Sequence, residues 1–458
     1  MFRFLFAFFG FGLVFTGLAV PLIADNRPNI ILILADDMGY SDIGSFGGEI
    51  ATPSLDQLAR EGMRFTQFYN CGVCVTTRSG MYTGLYPRFT GRASAANSSL
   101  RPEMTTLGSV LKAAGYQTAM TGKWHLGHEA PLRPIDRGFD EFYGLLDGCC
   151  NFFNPAQPDP EFYNGGLVRH FAHNEETVTS FPEGYYSTDA FTDHAIATLE
   201  QYAATGRPFF ININYTAPHF PLHAREEDMQ RYRGKYRGGY ERLRRDRYTR
   251  QIRSGLFDPD AVWLSAADAK ETDFRYDNDI VPWEDLDDET RRLEEARMEA
   301  YAAMVDRMDQ GIGRVMQALE ASGEADNTIV IFFSDNGGCA SWPTKDVEPE
   351  FVEYNEGIPV GDGRGYEFVG NAWGWAQNAP FRRHKVWTYE GGIATPMIVR
   401  WPDTVAAGTL TRQPGHVVDL MPTFLELTGG EYPQTREGHD VPPVEGHSLW
   451  PILQGDKR

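Results

Sequence analysis

The segment Cys71-Gly72-Val73-Cys74-Val75-Thr76-Thr77-Arg78-Ser79-Gly80-Met81-Tyr82-Thr83-Gly84 carries the most distinctive chemistry in the chain. Its later part has the makings of a short helix closed by Gly84. Cys74 then sits at the helix N-terminus, where the macrodipole and free N–H groups favour an anion. Arg78 follows four residues on and shares a helix face with Cys74. A nucleophile beside an arginine at such a terminus suits sulfuryl or phosphoryl transfer. The C-x-x-C spacing of Cys71 and Cys74 equally fits a disulfide or redox pair, and the segment alone does not choose between the two.

Groups like these need a rigid frame. Residues 29–34 (Asn-Ile-Ile-Leu-Ile-Leu) are apolar on both faces, as expected of a strand covered by helices on each side. Similar runs occupy 116–121, 208–215, 328–333 and 395–399, and the alternation with helical patterns predicts parallel strands with crossover helices. A helix is expected over 105–114, with Leu107, Val110 and Leu111 on one face. Another is expected over 297–321, where Tyr301, Val305, Met308, Ile312, Val315 and Met316 recur at helical spacing as core positions. Four strands lead into polar motifs: Asp36-Asp37, Gly122-Lys123-Trp124-His125, Ala217-Pro218-His219 and Ser334-Asp335-Asn336-Gly337. The carboxyl ends of strands are where open α/β sheets bind ligands, so four such coincidences point to one site.

With Ala35-Asp36-Asp37, Gly122-Lys123-Trp124-His125-Leu126-Gly127, Ala217-Pro218-His219, Ser334-Asp335-Asn336-Gly337-Gly338 and Lys385 ahead of Glu390-Gly391-Gly392, the chain resembles a type I sulfatase of the alkaline-phosphatase superfamily, most like the bacterial arylsulfatase branch. Cys74 and Arg78 match the fixed ends of the family's C-x-[PA]-x-R segment. Thr76 departs from its usual Pro or Ala. The resemblance implies an α/β alkaline-phosphatase-like α/β/α sandwich with a large, mostly parallel central sheet. It implies that Cys74 is oxidised by a formylglycine-generating enzyme, and that the formylglycine hydrate is the nucleophile. Asp36, Asp37, Asp335 and the amide oxygen of Asn336 make a hard oxygen set, joined by the modified Cys74, that favours Ca²⁺ over Mg²⁺. Lys123 and Lys385 are then donors to the sulfate oxygens, and Asp335 assists deprotonation of the nucleophile. His219 with Lys385 protonates the leaving alcohol or phenol, and His125 is the base for the second step. Two alternatives stay open: a phosphodiesterase or phosphonate hydrolase with Thr76 or Thr77 as nucleophile, and a catalytically silent binder of sulfated glycans.

Composition bounds the rest. The 458 residues carry 42 Lys+Arg against 63 Asp+Glu, a net charge of −21, which argues against general nucleic-acid binding. Five cysteines are too few for a disulfide scaffold, and the adjacent Cys149 and Cys150 read as two thiols. Arg3 ahead of an apolar run marks residues 1–24 as a signal peptide, so an exported, periplasmic or secreted protein is expected, with no membrane association after cleavage; an uncleaved anchor is the alternative. Residues 25–458 form the catalytic domain, and 225–296 are a charged excursion within it, its basic part neutralised by the acidic part that follows. Trp263 and Trp283 are its expected anchors. Residues 440–458 begin the family's small C-terminal antiparallel subdomain, which is otherwise expected to be largely absent. His384 and the tryptophans Trp373, Trp375 and Trp387 are candidates for the substrate mouth.

Overall fold

The computed structural model describes residues 27–91, 100–270, 279–343 and 347–458; the expected leader lies outside the described residues. Eleven strands make one sheet: β1 (Asn29–Ala35), β2 (Met63–Tyr69), β3 (Gln117–Gly122), β4 (Glu141–Leu145), β5 (Phe171–His173), β6 (Glu176–Thr177), β7 (Phe209–Asn214), β8 (Thr328–Ser334), β9 (Ala394–Arg400), β10 (Thr409–Thr411) and β11 (Gly415–His416). Their order is β10-β2-β9-β8-β1-β7-β3-β4-β5-β6, with β11 also paired to β2. The five central strands β8-β1-β7-β3-β4 are all parallel.

Every residue of β1 is buried, and alternate side chains go to opposite faces. Ile31 and Ile33 join a core with the helices Pro53–Glu61, Ser187–Ala203 and Asp288–Ala321. Ile30, Leu32 and Leu34 join another with Cys74–Thr83, Leu107–Ala113 and Leu420–Thr428. The result is a helix–sheet–helix sandwich. Each fully buried Ile or Leu stabilises it by about 1.5–3 kcal/mol relative to exposure. Leu449, Ile452 and Leu453 belong to the second core, so the segment after residue 440 packs as part of this layer.

The helices start where their caps allow. Thr106 accepts a hydrogen bond from the Ser109 N–H and opens Leu107–Ala113. Asp287 accepts from the Thr290 N–H and opens Asp288–Ala321, nine residues before the expected start at 297. That stripe is core packing.

Three expectations are corrected. Residues 395–399 do form a strand, but β9 runs antiparallel to both β2 and β8. An apolar run reports burial on both faces and carries no information on direction. The excursion after residue 225 is also less solvated than its composition suggests. Arg247 is fully buried, with Asp42 at 2.5 Å and Glu49 at 2.7 Å, and Arg244 is buried against the Trp375 ring at 4.4 Å. Arg231 pairs with Asp306. Acidic groups outside the excursion thus neutralise much of its basic part, because Gly239–Arg253 packs inward as a helix. Trp283 is an anchor, packed on Tyr240 and Trp373, whereas Trp263 is 74% exposed.

Candidate active site

The four strands that carry the polar motifs are neighbours, in the order β8, β1, β7, β3. Their carboxyl ends therefore deliver Asp335 and Asn336, Asp36 and Asp37, His219, and Lys123 and His125 to one edge. Asp37 (φ 67°) and His125 (φ 62°) adopt left-handed backbone, at a cost of about 1–2 kcal/mol each. Strain of this kind gathers where side chains must be re-aimed.

Helix Cys74–Thr83 ends at Gly84 (φ 70°), whose N–H bonds to the Gly80 carbonyl, and Cys74 is its first residue. Thr76 Oγ1 donates to the Val73 carbonyl at 2.8 Å or the Cys71 carbonyl at 3.0 Å, and Thr77 Oγ1 accepts from the Cys71 N–H at 2.9 Å. Cys71 and Cys74 are free thiols, as are Cys149 and Cys150. Arg78, fully buried, donates Nε and Nη2 to Asp335 Oδ2 at 3.1 and 2.8 Å and Nη1 to the Lys123 carbonyl at 2.6 Å. It thereby ties helix Cys74–Thr83 to two strand ends.

Lys385 arrives from a loop stitched to the same parts. Its N–H donates to the Gly338 carbonyl at 3.1 Å, and the Val386 N–H donates to Gly72 at 2.9 Å. Val386 has φ 76°, a true outlier for a β-branched residue. Gly337 and Gly391 interlock behind the loop. A Cβ on Gly337 would lie 1.8 Å from the Gly391 carbonyl oxygen, so only glycine fits.

The charges alternate. Lys123 Nζ lies 2.6 Å from Asp36 Oδ2, and Lys385 Nζ lies 2.6 Å from Asp37 Oδ1. Asn336 Nδ2 donates to Asp37 Oδ1 at 2.6 Å, and the Asp37 N–H reaches Asp335 Oδ1 at 3.3 Å. Three buried oxygens then lack a hydrogen bond: Asp36 Oδ1, Asp37 Oδ2 and Asn336 Oδ1. An unsatisfied buried polar group costs about 1–3 kcal/mol. Orphaned carboxylate and amide oxygens in one cluster are the donor set of a hard divalent cation, and the residues present fit one. Donor atoms of Asp36, Cys74 and Asp335 lie within 4.8 Å of one another, as do those of Asp36, Asp37 and His219.

Burial and the neighbouring Asp335 carboxylate push Asp36 well above the usual carboxylate range, against the pull of Lys123. Burial opposes ionisation of Asp37 too, but His219, Lys385 and Lys123 prevail and hold it low. An acid whose pKa is raised on folding favours the fold when protonated, so its contribution is lost as pH rises. Chelator-treated protein should therefore lose thermal stability as pH rises from about 5 to 8, and a saturating divalent cation should cancel most of the loss. A stabilisation by the cation with no pH dependence in melting experiments would contradict this.

Two histidines flank the cluster. His125 Nδ1 lies 3.4 Å from Cys74 Sγ. His219 Nδ1 lies 2.6 Å from the Phe220 carbonyl, so it carries the proton and leaves Nε2 as the atom facing Asp37 Oδ2 at 3.4 Å. Burial holds the His219 pKa well below the usual histidine range, with Lys385 and Lys123 reinforcing it against Asp37. All ten residues singled out from the sequence therefore meet at this edge. Trp124 packs behind it on Tyr82 and Phe139.

The other mouth candidates fare differently. His384 is buried, with Nδ1 against the Lys385 carbonyl at 3.2 Å. Trp373 and Trp375 are in the core, and Trp387 lies under the Arg383 guanidinium at 4.3 Å. Two positioning residues had no role assigned from sequence. Ser334 Oγ accepts from Met38 N–H and bonds the Asn336 carbonyl; Asn378 Oδ1 accepts from Gly338 N–H at 2.9 Å. Ser334 adjoins a motif and was findable, whereas no local pattern marks Asn378.

Fold and site together define a class: hydrolases that handle tetrahedral oxyanion esters at the carboxyl edge of an α/β/α sheet. The family model "Sulfatase" matches residues 28–430, and the chain belongs to that family, the sulfuric ester hydrolases. It is 33% identical to an uncharacterized sulfatase of Schizosaccharomyces pombe, over 91% of this chain and 78% of the relative. It is 32% identical to the arylsulfatase of Klebsiella aerogenes, over 93% of this chain and 91% of that one. Among solved structures it is similar to Ps i-CgsB in complex with k-i-k-neocarrahexaose: TM-score 0.65, 27% identity, covering 94% of this chain and 77% of that one. The sheet is accordingly that of the alkaline-phosphatase-like fold. No helix among the described residues is long and apolar enough to cross a membrane.

Proposed function

We propose that this sulfatase hydrolyses sulfate monoesters of carbohydrates, with aryl sulfates as convenient surrogates, using Cys74 matured to formylglycine and a bound Ca²⁺. The observation that carries this reading is the set of three orphaned buried oxygens beside Cys74, ringed by Arg78, Lys123 and Lys385. Asp36, Asp37, Asp335 and Asn336 would hold the cation, which supplies Lewis acidity and a template for the sulfate. The matured side chain supplies the oxygen nucleophile.

The remaining work falls to residues of the chain. Lys123 and Lys385 neutralise charge on the sulfate oxygens as the ester S–O bond breaks. Arg78 fixes Asp335 through two hydrogen bonds, so this carboxylate keeps its place beside the nucleophile. His125, within 3.4 Å of the Cys74 side chain, takes a proton from the group that replaces the thiol. His219 has Nδ1 committed to Phe220 and Nε2 bare, so the proton for the departing oxygen comes from the Lys385 ammonium, with His219 Nε2 facing Asp37 beside it. The products are an alcohol or phenol plus sulfate.

The carbohydrate assignment draws on the oligosaccharide complex of the structural relative. Export, and maturation by a formylglycine-generating enzyme, complete the reading. A screen of aryl and carbohydrate sulfates, with chelator and with added Ca²⁺, tests it. Sulfate release that chelator removes and Ca²⁺ restores is expected. Preference for a phosphodiester or phosphonate over every sulfate ester would overturn it.

A further inference from the structure

A second convergence of metal-binding side chains lies at the sheet's other flank. Alternation along β4 places Glu141 and Tyr143 on one face, and His173 is the register partner of Tyr143 across the antiparallel β4–β5 pair. Helix Ser187–Ala203 packs on β4 and brings His194 to the same place. Both imidazoles address one oxygen: His173 Nε2 is 2.9 Å and His194 Nε2 3.1 Å from Glu141 Oε1. Asn174 Nδ2 holds the other oxygen, Oε2, at 3.1 Å and so fixes the carboxylate. The two rings stand perpendicular with centroids 5.8 Å apart, and Tyr143 packs against each, at 5.7 and 5.3 Å.

We propose that Glu141, His173 and His194 form a second metal site, distinct from the hydrolytic centre, for a divalent transition ion such as Zn²⁺. Two imidazoles with one carboxylate suit this class of ion, whereas Ca²⁺ takes six to eight oxygens. Zinc bonds of about 2.0–2.2 Å in a tetrahedron set ligand atoms about 3.3–3.6 Å apart. The two His–Glu separations need to widen by only a few tenths of an ångström, and all three ligand atoms lie within 4.8 Å of one another. His173 and His194 also line a groove of 540 Å³ with Tyr143, Tyr185 and Asp189, which gives solvent access to the trio. Occupancy would clamp the edge strands to the helix.

Geometry separates this trio from His128, Asp147 and His170. There the two imidazoles stack in parallel at 4.0 Å, and His128 stays 3.9 Å from Asp147, so the donors lie side by side. That cluster serves as an internal control.

The test uses the full chain, stripped with chelator, reloaded with excess Ca²⁺ and titrated calorimetrically with Zn²⁺; crystals are then measured at the zinc edge. One Zn²⁺ per chain is expected, with the anomalous peak among Glu141, His173 and His194. His173→Ala should weaken binding at least about tenfold with an unchanged circular dichroism spectrum, and His128→Ala should not weaken it. His173 is half exposed, so its loss leaves the core intact. Glu141→Gln gives a second variant. No Zn²⁺ uptake in excess Ca²⁺, a peak only in the hydrolytic centre, or unaltered binding by His173→Ala would reduce the trio to a shared hydrogen bond and overturn the proposal.

Discussion

Cys74→Ala is expected to lower sulfate-ester hydrolysis by at least about 10⁴-fold while the protein still folds. The two halves of that expectation have separate grounds. Cys74 is the first residue of its helix, and its thiol lies beside His125 at 3.4 Å, so alanine removes the group from which the proposed nucleophile is made and little packing. The hydroxyls of Thr76 and Thr77, in the same helix turn, are committed to backbone. Thr76 Oγ1 bonds the Cys71 and Val73 carbonyls, and Thr77 Oγ1 takes the Cys71 N–H. Neither is placed to replace the nucleophile proposed at position 74. Steady-state rates with an aryl sulfate, paired with thermal unfolding, check both halves. Retention of more than about a hundredth of the activity would move the nucleophile elsewhere.

Arg78→Ala should be the most destabilising single change at the site, by about 3–5 kcal/mol, because it strands a buried charge. Arg78 and Asp335 are both fully buried, and their contact is 2.8 Å. The same guanidinium also satisfies the Lys123 carbonyl. Alanine leaves a buried carboxylate without its guanidinium and the Lys123 carbonyl with one hydrogen bond fewer. Lysine keeps the charge but cannot reproduce the fork, so Arg78→Lys should recover only part of the loss. Denaturant unfolding of Arg78→Ala, Asp335→Asn and the double variant measures the coupling. A single-variant cost below about 1 kcal/mol, or strict additivity, would show that the pair does not hold the helix to the strand ends.

Much of this was legible in the sequence because it is local. The two-faced apolar runs of β1, β3, β7 and β8 and the polar motifs past their ends identify the edge that carries the site. Gly84 closing the helix after Cys74 follows from backbone conformation alone. What the sequence hides is non-local. The direction of β9 depends on its neighbours, and β2 has polar residues such as Arg64 and Gln67 among its buried ones, which blurs the apolar run. The buried fate of Arg244 and Arg247 depends on partners as distant as Trp375, Asp42 and Glu49. Asn378 positions the Gly338 loop from forty residues away, and no spacing rule reaches that far.

The most direct test is the mass of the peptide containing Cys74, taken from active enzyme and treated with an aminooxy reagent. Conversion of the thiol to an aldehyde lowers the residue mass by about 18 Da, and trapping separates the aldehyde from its hydrate, which nearly restores the thiol mass. The account predicts a trapped aldehyde at position 74 in proportion to activity. A fully active preparation in which Cys74 alkylates as an ordinary thiol and traps no reagent would contradict it.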